Sequence, residues 1–147
     1  METVEVMYNG CYGGFELSQE AVELYKNKTK MRGEDLSNLE NILEGMSIED
    51  RQNKIMIEVV KELGPKASTS HSNIKIRSFP LKYANHIEIH EYDGSESLSV
   101  NLEAYKLSEI DKVASFTHED PLLRIQKITG ILREELEKID IPQNHSI

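Results

Sequence analysis

Residues 87–100, IEIHEYDGSESLSV, decide the fold class. Ile87 and Ile89 alternate with Glu88 and His90, and Leu98, Val100 and Leu102 alternate in a later run. Period-2 alternation marks a strand with one buried face. Between the runs stands Asp93-Gly94, a dipeptide that tolerates the positive φ of a tight turn. Two strands joined this closely must run antiparallel. Upstream, Ile74 and Ile76 alternate with Lys75 and Arg77 before Pro80, and residues 3–8 (TVEVMY) are β-prone and partly alternating. About four strands are therefore expected.

Helical patterns fill the rest. One starts at Ser18, whose hydroxyl is placed to cap free N–H groups, with Leu17 set to meet Val22 across the cap. Ala21, Val22, Leu24 and Tyr25 form its apolar stripe, and the basic, polar stretch Asn27–Gly33 reads as a loop. A short helix is expected over Asp35–Glu44, ended by Gly45. The clearest helix spans Ser47–Leu63: Ser47 and Asp50 have capping-box spacing, Ile55, Met56, Val59, Val60 and Leu63 share a face, and Gly64-Pro65 stops it. Ala67–Asn73 is a Ser/Thr-rich loop.

Another short helix is expected over Leu107–Ala114. A longer one follows, capped by Thr117 or Asp120, with Pro121 in its first turn. Its stripe, Ile125, Ile128, Leu132, Leu136 and Ile139, either covers a sheet or also serves a homodimer. The architecture expected is α+β: a small, mainly antiparallel sheet of about four strands covered by helices on one side. Residues 1–147 read as a single domain, with an α+β core over 1–102, a helical segment over 103–141 and a tail over 142–147.

Composition narrows the partners. The chain has 147 residues and a formal net charge of -9, from 26 acidic and 17 basic side chains. That excess opposes sequence-independent nucleic-acid binding, which needs Lys and Arg on phosphates. It also opposes anionic membranes, and no apolar run reaches the roughly 18 residues of a spanning helix. The N-terminus lacks the layout of a signal peptide, and a single cysteine forms no internal disulfide. A cytoplasmic location is the expectation, without cofactor or metal.

The least ordinary stretch is Tyr8–Ser18, YNGCYGGFELS, with three of the eight glycines and the only cysteine. Strand, glycine loop and helix N-terminus in succession can aim backbone N–H groups at phosphate. Yet the spacing of Gly10, Gly13 and Gly14 matches neither a dinucleotide fingerprint nor a P-loop. Glu16, Glu20 and Glu23 also crowd the helix entrance and oppose an anion. Two readings stand: a tight turn that needs glycine, or a corner shaped for a ligand. Cys11 near a helix start suits a lowered thiol pKa, while its acidic neighbours push the other way.

His86, Glu88 and His90 share one strand face with Tyr92, which is either a three-ligand metal set or a solvated outer face. His118-Glu119-Asp120 precedes Pro121 and suits helix capping better than acid–base work.

Three stretches taken together, YNGCYGGFELS at 8–18, IEVVKELGPKAS at 57–68 leading into NIKIRSFP at 73–80, and IEIHEYDGSES at 87–97, resemble a family of small uncharacterised proteins of tailed phages, large DNA viruses and bacteria. The resemblance covers roughly the first 100 residues. Asn53-Lys54 departs from the Asp-Pro that such proteins often carry there. It implies two signatures, Asn9, Gly10, Cys11, Tyr12, Gly13, Gly14 and Phe15, and then Glu91, Tyr92, Asp93 and Gly94. A viral setting would place the chain inside a host cell.

Three classes of function follow. The leading one is a non-enzymatic, viral or phage-type accessory protein that binds a small polar or nucleotide-like ligand. It would use backbone groups of 9–14, the rings of Tyr12 and Phe15, and acceptors from Glu91 and Asp93, with Tyr92 alongside. The second is a protein-interaction or structural component acting through its C-terminal helix and acidic surface. The third is an enzyme centred on Cys11 or on the strand of His86, Glu88 and His90.

Overall fold

The chain's first strand, β1 (Thr3–Asn9), carries apolar side chains on both faces, and the core is organised around it. The structure is a computed structural model and describes residues 2–114. The chain divides into two compact units, Met1–Asn101 and Leu102–Ile147.

In the first unit, β1 pairs antiparallel with β2 (Ile74–Pro80), in register from Thr3↔Pro80 to Asn9↔Ile74. β3 (Ile87–Tyr92) pairs antiparallel with β4 (Ser95–Val100) through the Asp93-Gly94 turn. The helices are α1 (Gln19–Met31), α2 (Leu39–Glu44) and α3 (Lys54–Leu63). The fold is α+β, with its four strands arranged as two two-stranded ribbons rather than one sheet.

Period-2 alternation along β1 explains the layers. Met7, with Ile74 and Ile76 of β2, meets α1, α2 and α3 in a cluster that includes Ala21, Tyr25, Ile42, Met56 and Val59. Val6, with Val4, Tyr8 and Phe79, meets Ile87 and Leu98 of the second ribbon. The helices thus cover one face of β1–β2, and the β3–β4 ribbon covers the other.

The ends of the β1–β2 ladder fix its parity. The Gly10 N–H donates to the Asn73 carbonyl at 2.8 Å, and the Leu81 N–H to the Glu2 carbonyl at 3.1 Å. Even-numbered residues of β1 therefore bond β2, and odd-numbered ones turn their N–H and C=O groups to the opposite edge.

Local boundaries differ from the sequence reading in four places. α1 continues through Lys26–Met31, where a loop was expected over Asn27–Gly33. Thr29 is fully buried on the stripe begun by Ala21 and Tyr25, and Lys28 pairs with Glu62 of α3 at 2.9 Å. Tertiary contact overrides a polar composition there. α2 begins at Leu39 rather than Asp35, because the Asp35 carboxylate accepts from the Ser37 N–H at 2.8 Å and closes a turn.

The Ser47–Asp50 box forms: the Ser47 hydroxyl accepts from the Asp50 N–H at 3.2 Å and donates to its carboxylate at 2.7 Å. It starts a 3₁₀ turn over Asp50–Gln52, and α3 begins only at Lys54. Asn53 is the cap, its side-chain oxygen accepting from the Met56 N–H at 2.9 Å. Asn53→Ala is expected to cost about 1 kcal/mol. The urea midpoint reads this, with Ser47→Ala the smaller loss.

The fourth difference concerns Leu102. β4 ends at Val100, and Leu102 opens α4 (Leu102–Ala114) instead of extending the strand, so this helix starts before Leu107. The expected cap at Thr117 or Asp120, the stripe from Ile125 to Ile139, the His118–Asp120 cluster and the tail from Pro142 lie outside the described residues. So does the surface assigned to a homodimer. Among the described residues, no helix is long and apolar enough to cross a membrane.

Candidate functional site

β1 ends at a fully buried asparagine, Asn9, and the corner is built on its amide. Its nitrogen donates to the carbonyls of Cys11 and Gly94, both at 2.7 Å. Its oxygen accepts from the Asn73 N–H at 2.8 Å and from the Cys11 thiol at 3.5 Å. One side chain therefore ties the 9–11 loop to the start of β2 and to the β3–β4 turn. Every buried amide atom needs such partners, so the choice of residue is dictated locally.

Glycine is required at two contacts here. Gly13 has φ +150, donates its N–H to the Asp93 carbonyl at 3.2 Å, and lies so close to the His71 carbonyl oxygen that a Cβ would overlap it. Gly94, at φ +85, sits where a Cβ would come within 2.5 Å of the Gly14 nitrogen. The two signatures named from sequence, 9–15 and 91–94, are thus in contact backbone to backbone.

That contact consumes donors. The N–H groups of Gly10, Gly13 and Gly94 go to the Asn73 carbonyl, the Asp93 carbonyl and the Glu91 carboxylate respectively. Ser18 caps α1, accepting from the Ala21 N–H at 3.1 Å, and Glu16 binds the Thr69 hydroxyl at 3.1 Å. These three glycine N–H groups are therefore not free to cradle a phosphate.

Beneath the corner lies a buried ion pair that sequence reasoning missed. Arg51 and Glu96 form two hydrogen bonds, at 2.7 and 2.8 Å, with side chains 4% and 7% exposed. The Arg51 Nε donates to the Gly45 carbonyl at 2.8 Å, and its guanidinium stacks on Phe15, 3.7 Å from the ring centroid. Glu96 also accepts from the Asn9 N–H at 2.8 Å. Burial pushes the Glu96 carboxyl upward. The Arg51 hydrogen bond, the Asn9 N–H and the Arg51 charge outweigh that and hold it below the usual carboxylate range. Nothing near Arg51 announces this role: EDRQNK at 49–54 looks like a solvated charge run.

Two cavities flank the turn and share Glu91 and Glu96. One, of about 390 Å³, is lined by Gly14, Phe15, Gly45, Met46 and Gly94. The other, of about 270 Å³, is lined by Tyr12, His90, Tyr92, Ser95 and Ser97. Tyr12 and Tyr92 are 72% and 73% exposed. Asn9, Gly10, Cys11 and Gly13 serve the chain's own hydrogen bonds. Tyr12, Gly14, Phe15, Glu91 and Tyr92 face open volume, and Asp93 holds the turn with φ 49.

The histidine strand does not assemble a metal set. His86 precedes β3, Glu88 is exposed, and the His90 Nε2 lies 2.6 Å from the Ser99 hydroxyl. Among the described residues, no three His, Cys, Asp or Glu side chains are placed to share an ion. The Cys11 thiol points at the Asn9 side chain and the His71 carbonyl, at 3.5 and 3.7 Å, with no base among its hydrogen-bond partners.

No protein-family model, curated protein or solved structure matches this chain. A functional reading must come from the site itself.

Proposed function

We propose that the chain is a non-enzymatic module binding a small polar, nucleoside-like ligand on the outer side of the strand-to-helix corner. The observation that carries this reading is the pair of cavities sharing Glu91 and Glu96, with the exposed rings of Tyr12 and Tyr92 at one of them. An aromatic ring offers a stacking surface for a base, and carboxylates accept from ribose hydroxyls and exocyclic amines. The N–H groups of Gly10, Gly13 and Gly94 are already bound, and Glu44 and Glu91 at the first cavity repel a phosphate. The resemblance of 8–18, 57–80 and 87–97 to small proteins of tailed phages, large DNA viruses and bacteria fits an accessory role, such as sequestering a host metabolite in a viral setting.

Mass spectrometry of molecules released from the purified chain, followed by calorimetric titration with the four ribonucleosides and their monophosphates, tests the reading. A nucleoside is expected to bind more tightly than its own monophosphate. Tyr12→Ala or Tyr92→Ala should weaken binding about tenfold or more, the value of one base–aromatic stack. Equal binding by both tyrosine variants, or tighter binding of the monophosphate, would sink it.

A further inference from the structure

The odd-numbered residues of β1 present their amide groups to the edge away from β2. At the far end of the strand the chain closes this edge itself. Glu96 accepts from the Asn9 N–H at 2.8 Å, and Arg51 donates to the Met7 carbonyl at 3.4 Å. That cover stops at Met7. Among the described residues, nothing hydrogen-bonds the outward N–H and C=O groups of Thr3 and Glu5.

A groove of about 600 Å³ lies at this uncovered half, lined by Thr3 and Glu5 themselves, by Lys54, Ile57 and Lys61 of α3, and by Glu2 and Leu81. It shares no lining residue with the two cavities at the corner. We propose that this groove receives one extended strand of a partner protein, added to the Thr3–Glu5 edge of β1.

Three features select that occupant. Unpaired main-chain donors and acceptors at strand spacing are matched by another extended backbone and by little else. The edge shares its groove with Lys54, Ile57, Glu58 and Lys61 of α3, so a strand added there also meets helix side chains. The charges supply the third feature. Glu5 is held by Lys61 at 2.6 Å and Glu58 by Arg32, whereas Lys54 and Glu2 have no ion pair among the described residues. The partner strand therefore carries an acidic side chain for Lys54 and a basic one for Glu2.

The test selects a phage-displayed library of random twelve-residue peptides against the full chain and titrates the enriched peptides. Thr3 and Glu5 make no ladder bond through their N–H groups, so a Thr3→Pro/Glu5→Pro variant keeps β1–β2 pairing while removing two edge donors. It should lower peptide affinity at least about tenfold. Glu5→Gln, which loses the Lys61 pair but keeps the amide, should retain binding. In the unaltered chain, bound peptide should slow amide exchange at Thr3 and Glu5, a readout that stands even if the proline variant does not fold. Failure to enrich any peptide overturns the proposal, as do peptides that leave those two amides unchanged. Protection of Thr3 and Glu5 that rises with protein concentration alone also overturns it, by giving the edge to a second copy.

Discussion

Arg51→Met is expected to destabilise the Met1–Asn101 unit by about 3–5 kcal/mol, because it leaves the Glu96 carboxylate buried without its cation. Coulomb attraction alone is a poor guide to this value, since both charges lost water on burial. What makes the single substitution costly is the partner left behind. Arg51→Met/Glu96→Gln should therefore recover much of the loss, as the glutamine can still accept from the Asn9 N–H. Urea unfolding of the two single variants and the double gives the coupling directly.

The pH dependence carries a sign as well. In the native chain Glu96 titrates below the usual carboxylate range. Its contribution is complete above the ordinary glutamate value of about 4.3 and is lost as the pH falls through the folded value. In Arg51→Met the buried carboxyl shifts upward instead. That variant should then lose stability as the pH rises past the ordinary glutamate value. The expected signature is a Glu96 contribution that stays level in the native chain from about pH 5 to 7, while stability of the variant falls over that range. Parallel profiles would show that Arg51 does not govern Glu96.

Asn9→Ala is the second large effect, about 4 kcal/mol, since it strips partners from the Cys11 and Gly94 carbonyls and from the Asn73 N–H at one stroke. Asn9→Asp should be no better, because an ionised carboxylate replaces two donors with acceptors facing carbonyls. Cys11→Ala makes a useful contrast. Its sulfur contacts are long, at 3.5 and 3.7 Å, and the expected loss is under about 1 kcal/mol. Thermal unfolding of the three variants separates an amide-centred corner from a thiol-centred one.

These expectations mark where sequence was informative and where it was silent. The strands were readable because each buries at least one face at period 2, and Asp93-Gly94 forms the turn its chemistry suggests. Ser18 caps α1 for an equally local reason. Boundaries governed by distant contacts were not readable. Thr29 is helical because it is buried, and Asn53 caps α3 because Arg51 is drawn inward just before it. The glycine corner was visible as unusual, yet its residues divide into two jobs that composition cannot separate. Asn9 and Gly13 hold the chain together, while Tyr12 and Phe15 border open volume. Arg51 and Glu96 meet across 45 positions, each in an ordinary polar run, so no short-range pattern marks them.

The pairing of β1 with β2 also sets a calendar for synthesis. The first strand to leave the ribosome has to wait for residues as late as Pro80 before its ladder closes, while α1 and α3 are already available to meet. Arg51 waits longer still, because its counter-charge arrives only with β4. The corner is thus completed late, with only the Ile87–Val100 end of the second ribbon closing after it. A nascent chain halted before Glu96 would carry a guanidinium without its counter-charge and an Asn9 backbone N–H without its acceptor.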